Sequence, residues 1–251
     1  MTVLLNGSSL TTESVLRVAR HREEVALAPE ALERVAHCRS FLDTKIEDGT
    51  VMYGINTGIG ELCNVVLDPG QIRDFQRYLV YSHAAGYGEP LPEEAVRAAM
   101  TSRTNVLVKG HSGCRPLIPQ TMVALLNAGV TPVVCSRGSV GACGDLSPMS
   151  QIALVLIGEG EAFYEGERLP ASEALAKAGL EPIVFEARDG LSSINGSNVI
   201  AGMGSIAVED TESFLAASEA AASLTLQALN ANLTGYDERL HSARGFPGSV
   251  R

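Results

Sequence analysis

The feature that most limits the fold lies late in the chain. Residues 197–232 form an Ala-rich stretch of good helix formers, which read as one helix would be about 50 Å long at 1.5 Å per residue. Ile200, Met203, Ile206, Phe214, Leu215, Leu224 and Leu226 place apolar side chains on more than one side of it, so it needs cover from more than one direction. A chain organised on such an element is predicted to be mainly α. Upstream signals agree. Thr11 or Thr12 caps a helix to about His21, and Pro29 opens another in which Leu32, Val35, Ala36, Arg39 and Leu42 recur at helical spacing until Gly49 ends it. Asp68-Pro69 starts a third, with Ile72, Phe75, Leu79 and Ser82 on one face, and Pro92 a fourth. Further helices are expected over 119–127, before Gly129, over 151–158 and over 172–178. Only short strands are read, at 3–5, in the extended run 131–135 and in a hairpin over 162–169. Without repeats or low-complexity linkers, residues 1–251 are expected to form a single domain.

Apolar residues are 45% of the 251 and charged residues 19%, a globular balance that excludes disorder. The net charge of −10, with no Lys/Arg run, argues against nucleic acid or an anionic membrane as partner. No basic-then-apolar leader is read at the start, and the apolar runs are too short to span a bilayer, so a cytoplasmic location is expected. Cys38, Cys63, Cys114, Cys135 and Cys143 are scattered and lack a C-x-x-C pair, which indicates neither a disulfide framework nor a zinc site.

The chemistry concentrates in residues 138–148, Gly-Ser-Val-Gly-Ala-Cys-Gly-Asp-Leu-Ser-Pro. Gly141 and Gly144 bracket Ala142 and Cys143, so an amide nitrogen can approach a carbonyl where a β-carbon would obstruct it. Attack of the Gly144 nitrogen on the Ala142 carbonyl with loss of water closes a five-membered ring, and elimination at Cys143 leaves an exocyclic methylidene. The product is an electrophile. Two plainer readings stand beside it: a turn feeding a helix N-terminus that cradles an anion, and a reactive Cys143 thiol.

The loop resembles the cofactor-forming segment of the aromatic amino acid lyase family, the histidine, phenylalanine and tyrosine ammonia-lyases and their aminomutase relatives. These build a methylidene-imidazolone (MIO) from Ala-Ser-Gly. Here Cys143 stands for the serine, and loss of hydrogen sulphide gives the same dehydroalanine unit as loss of water. Four other segments match in order: YGINTGIG from Tyr53 to Gly60, SHAAG around His83, KGHSGCRP, and GLSSINGS around Asn195. The resemblance covers essentially the whole chain and the N-terminal half of the family fold, with short strands and the start of the long central helical bundle. It implies that Tyr53 is the acid/base group, that Ala142, Cys143 and Gly144 form the MIO, and that His83, Asn195 and Gly60 bind substrate. No metal or nucleotide is implied.

The implied reaction is elimination of ammonia from an L-amino acid, with histidine giving urocanate as the first reading. A tyrosine 2,3-aminomutase or a related aromatic ammonia-lyase is the alternative, and a non-catalytic half-subunit is a third. Because the family's carboxylate-binding arginine and second active-site tyrosine belong to its other half, the expected partners are a small amino-acid substrate and a second polypeptide carrying the C-terminal half. The expected assembly is tetramer-like.

Overall fold

The structure, a computed structural model, describes residues 2–141 and 144–250. It is mainly helical, in two compact units, Met1–Glu209 and Asp210–Arg251. In the first, β1 (Thr2–Leu5) pairs in parallel with β2 (Glu24–Leu27), joined through α1 (Thr12–Ala19), which Thr11 caps by accepting from the Ser14 amide at 3.1 Å. The sequence did not announce β2, since four residues with one buried side chain carry little periodicity.

Next come α2 (Pro29–Glu47) and α3 (Pro69–His83). The start of α3 is a reciprocal capping box: Asp68 accepts from the Gln71 amide at 2.9 Å, and the Gln71 side chain accepts from the Asp68 amide at 3.0 Å. After β3 (Tyr87–Pro90), α4 (Glu93–Leu107) and α5 (Leu117–Ala128) supply much of the core, which joins Val96, Met100 and Leu107 to Ile118, Met122 and Leu125. Arg97, on α4, is 1% exposed and has no carboxylate partner among the described residues. Its guanidinium instead donates to the carbonyls of Val18 at 2.9 Å and Leu126 at 3.1 Å, in the last turns of α1 and α5. Burial pushes its pKa down to about 10.

β4 (Thr131–Pro132) and β5 (Cys135–Arg137) lead to α6 (Leu146–Leu156). This helix begins earlier than the sequence suggested, with Pro148 inside its first turn, where a missing N–H costs nothing. β6 (Glu161–Tyr164) and β7 (Glu167–Pro170) form the expected hairpin, to which β4 adds a third antiparallel strand, and β3 pairs with β5. Then follow α7 (Ala171–Lys177), α8 (Asp189–Ile194) and α9 (Asn198–Ala228). At 31 residues, α9 is about 46 Å long. Its buried residues, Asn198, Val199, Gly202 and Ile206, all lie near its start. The second unit takes in the rest of α9 and a short α10 (Glu238–Ala243).

The start of α9 lies close against α4 at Gly202, where an added Cβ would stand 2.6 Å from the Ala99 amide nitrogen and 2.7 Å from the Ala98 carbonyl carbon. These are backbone atoms that cannot rotate away. Gly202→Ala gains about 1 kcal/mol of helix propensity, but overpacking against a fixed backbone costs about 1–3 kcal/mol. A lowered urea midpoint is therefore expected, and a raised one would mean that the two helices are not in contact there.

Candidate active site

The cyclising loop ends on a junction with the start of α9. Gly144 pairs with Gly196 in an isolated parallel bridge, and the Asp145 amide donates to the Gly196 carbonyl at 2.9 Å. Gly144 holds φ 82°, and a Cβ there would stand 2.5 Å from the Gly196 carbonyl oxygen and closer still to Ser197 Oγ, so only glycine fits. Its amide donates to the Gly141 carbonyl, which folds the flanks of the loop back on themselves. Asp145, 0% exposed, then caps α9: its Oδ2 accepts from the amides of Val199 at 2.8 Å and Ile200 at 3.0 Å. Its Oδ1 is buried without a partner among the described residues. Ala142 and Cys143 themselves lie outside the described residues.

Asn195 closes α8, whose six residues are all buried. The helix is held from several sides. Asp189 accepts from the Arg115 amide at 3.0 Å, from Arg115 Nε at 2.7 Å and from the Glu186 amide at 3.0 Å, with Arg39 Nη1 at 3.7 Å. Ser192 Oγ donates to the Ser112 carbonyl at 2.9 Å, and Gln76 accepts from the Leu191 amide at 3.2 Å. At the other end Arg103, 4% exposed, donates to the Ser192 carbonyl and to Asn198 Oδ1 at 3.2 Å, directly behind Gly196. Burial pushes the Arg103 pKa down to about 10. Asn195 itself is exposed, so its amide is available to a ligand.

Tyr53 and Gly60 meet: the Gly60 amide donates to the Tyr53 hydroxyl oxygen at 3.2 Å. An N–H on that oxygen is the arrangement that stabilises negative charge there. The tyrosine is 56% exposed, at the rim. The next residue, Gly54, sits against the Leu191 side chain of α8. His83 ends α3, with Nδ1 2.8 Å from the Leu79 carbonyl. The tautomer with its proton on Nδ1 serves both that carbonyl and Ser82 Oγ, 3.0 Å away, and leaves Nε2 with its lone pair. Just beyond, Gly86 lies against Gln151 of α6 and against Gly138, which brings the His83 segment to the foot of the cyclising loop. Tyr53, His83 and Asn195 share no hydrogen bond with one another among the described residues; α8 and the base of the loop bring their segments together.

The flanks fit an internal cyclisation. Gly141, at φ 84°, has open space where a Cβ would stand, Gly144 admits no side chain, and the buried Asp145 Oδ1 is an acceptor without a partner among the described residues. The positive end of α6, which starts at Leu146, favours negative charge on the loop. Among the described residues no three His, Cys, Asp or Glu side chains gather to hold a metal, and no helix is long and apolar enough to cross a membrane. Sequence reasoning missed Asp145, Arg103 and α8. Asp145 carried one signal, its place immediately after the Gly144 of the loop.

Comparison with known proteins fits this geometry. The model of the aromatic amino acid lyase family matches residues 10–251. A histidine ammonia-lyase of Bacillus cytotoxicus is 42% identical over 99% of this chain and 49% of its own length. The crystal structure of histidine ammonia-lyase from Trypanosoma cruzi superposes with a TM-score of 0.92 at 32% identity, over 100% of this chain and 48% of that one. The tyrosine aminomutase from Streptomyces globisporus superposes with a TM-score of 0.79 at 35% identity, over 83% of this chain and 39% of that one. The chain thus spans about half the length of the curated relatives it matches. On the family match and the ordered motifs together, this chain belongs to the aromatic amino acid lyase family.

Proposed function

We propose that this chain carries the electrophile-forming and proton-transfer part of an ammonia-lyase that converts histidine to urocanate and ammonia. The observation that carries the reading is the junction of Gly144 with Gly196, which holds one end of Ala142-Cys143-Gly144 in a conformation open only to glycine. The MIO formed from those three residues supplies the electrophile that a substrate amine meets. Tyr53 removes the β-proton, its oxygen held by the Gly60 amide. His83 accepts a hydrogen bond from the substrate imidazole through Nε2, the nitrogen left free by its bond to Leu79. Asn195 binds substrate from the exposed end of α8.

The complete activity also needs polypeptide equivalent to the half of the relatives that this chain does not match. Apolar side chains that α9 leaves uncovered support this: Ile200, Met203, Phe214, Leu215 and Leu224 are 44–68% exposed. A multi-subunit, cytoplasmic enzyme acting on a small amino acid is the whole proposal. The second reading is a tyrosine 2,3-aminomutase, favoured by the likeness to the aminomutase from Streptomyces globisporus.

Cyclisation is tested by intact mass. The mature chain is expected to fall short of the encoded mass by one water plus one hydrogen sulphide, and an unmodified mass with a titratable Cys143 thiol in active enzyme would overturn the reading. In an assembly competent for turnover, Tyr53→Phe is expected to lower kcat by about 10²-fold or more, the scale of general acid–base groups. Unchanged turnover would remove Tyr53 from the mechanism. Incubation with histidine and with tyrosine separates the two readings: urocanate supports the first, β-tyrosine the second.

A further inference from the structure

Arg188, the residue before α8, holds φ 73° and ψ −20°, a left-handed conformation that costs energy for any residue with a side chain. Three other non-glycine residues have positive φ, Arg22, Glu165 and Asn230, and all three are exposed. Only Arg188 turns partly inward. Its Nε donates to the Ser112 carbonyl at 3.0 Å, and its Cγ lies 3.5 Å from where a Cβ on Gly113 would stand. Its Nη1 lies 3.8 Å from the Cβ position of Gly54, the residue after Tyr53. The guanidinium is therefore threaded between the turn at Ser112 and the tyrosine loop, and no carboxylate pairs with it among the described residues.

We propose that Arg188 is a positioning residue for proton transfer, whose guanidinium is held against the tyrosine loop so that it stabilises the Tyr53 phenolate. The strained turn has a use on this view, because it aims the side chain at the loop. The charges around it leave it uncompensated. Asp189 is committed to Arg115 and Arg39, Glu186 pairs with Arg115, and the Cys114 thiol is pushed up to about 12 by burial and stays neutral. Cys38 of α2 also lies nearby, and Arg103 of α4 adds a second buried cation. Burial lowers the Arg188 pKa, and the nearby Cys114, Cys38 and Tyr53 side chains, in that order, oppose the shift.

The inference rests on the reading of Tyr53 as the acid/base group, but its test needs no turnover. Tyrosine ring carbons of the chain are labelled with ¹³C, the Tyr53 signal is assigned by its loss in Tyr53→Phe, and its titration is followed by NMR. Arg188→Gly removes the charge and supplies the residue that this backbone conformation prefers, so the variant is expected to fold. Its Tyr53 midpoint is expected to rise by about one pH unit, the order of the effect of losing a nearby opposite charge. Arg188→Lys is expected to restore most of the difference, which a purely structural role would not do. An unmoved Tyr53 midpoint in Arg188→Gly would overturn the inference even if Tyr53→Phe abolishes turnover. A moved midpoint with full turnover in Tyr53→Phe would leave the charge coupling standing and overturn the catalytic reading instead.

Discussion

The site depends on one carboxylate. Asp145 joins two elements that are 54 residues apart in sequence, since it follows the cyclising loop directly and its Oδ2 accepts from two amides at the start of α9. A side-chain cap of this kind is worth about 0.5–2 kcal/mol, and its negative charge at the positive end of a 31-residue helix adds to that. Its larger consequence is geometric. With the Asp145 amide bound to the Gly196 carbonyl and Gly144 bridged to Gly196, the C-terminal end of the loop cannot move without uncapping the longest helix. The ring closure proposed for this loop needs an amide nitrogen near a carbonyl and would begin from a nearly fixed end, which lowers its entropic cost.

Cations bound to carbonyls are the second theme. Arg97 and Arg103 are both buried and both donate to backbone oxygens instead of carboxylates. An unpaired buried charge costs several kcal/mol, so each must be held by enough acceptors to offset its lost hydration. Arg97 finds them at helix ends and thereby ties α1, α4 and α5 together. Arg103 finds them at the end of α8 and the start of α9, where Gly196 turns toward the loop. Asp189 does the complementary work at the other end of α8, where two cations and two amides surround it. A six-residue helix too short to be stable alone is made rigid by these contacts, and it presents Asn195 at one end and supports the Tyr53 loop along its side.

Much of this was legible in the sequence where the cause was local. Thr11 and Asp68 cap the helices they were read to start, Gly129 ends α5 in the left-handed conformation, and the Ala-rich stretch is one helix. The order of Tyr53, His83, Gly144 and Asn195 pointed to the family. What escaped were effects of distant residues. α8 is specified by Gln76, Arg103, Ser112 and Arg115, none of them within 70 residues of it, and its own composition argues for a loop. The β1–β2 pairing is non-local in the same way. Arg188 gave no warning, because a positive φ at a non-glycine residue leaves no mark in one sequence.

The central claim is that the loop is clasped at its C-terminal end by Asp145, Gly196 and the start of α9. Native-state hydrogen exchange of three amides, those of Asp145, Val199 and Ile200, tests it most directly, because these are the donors of the clasp. The account predicts that they exchange together and as slowly as the core amides of Met100 and Thr101 in α4. Exchange of all three at the rate of an exposed loop residue such as Gly141 would contradict it, since the C-terminal end of the loop would then be free.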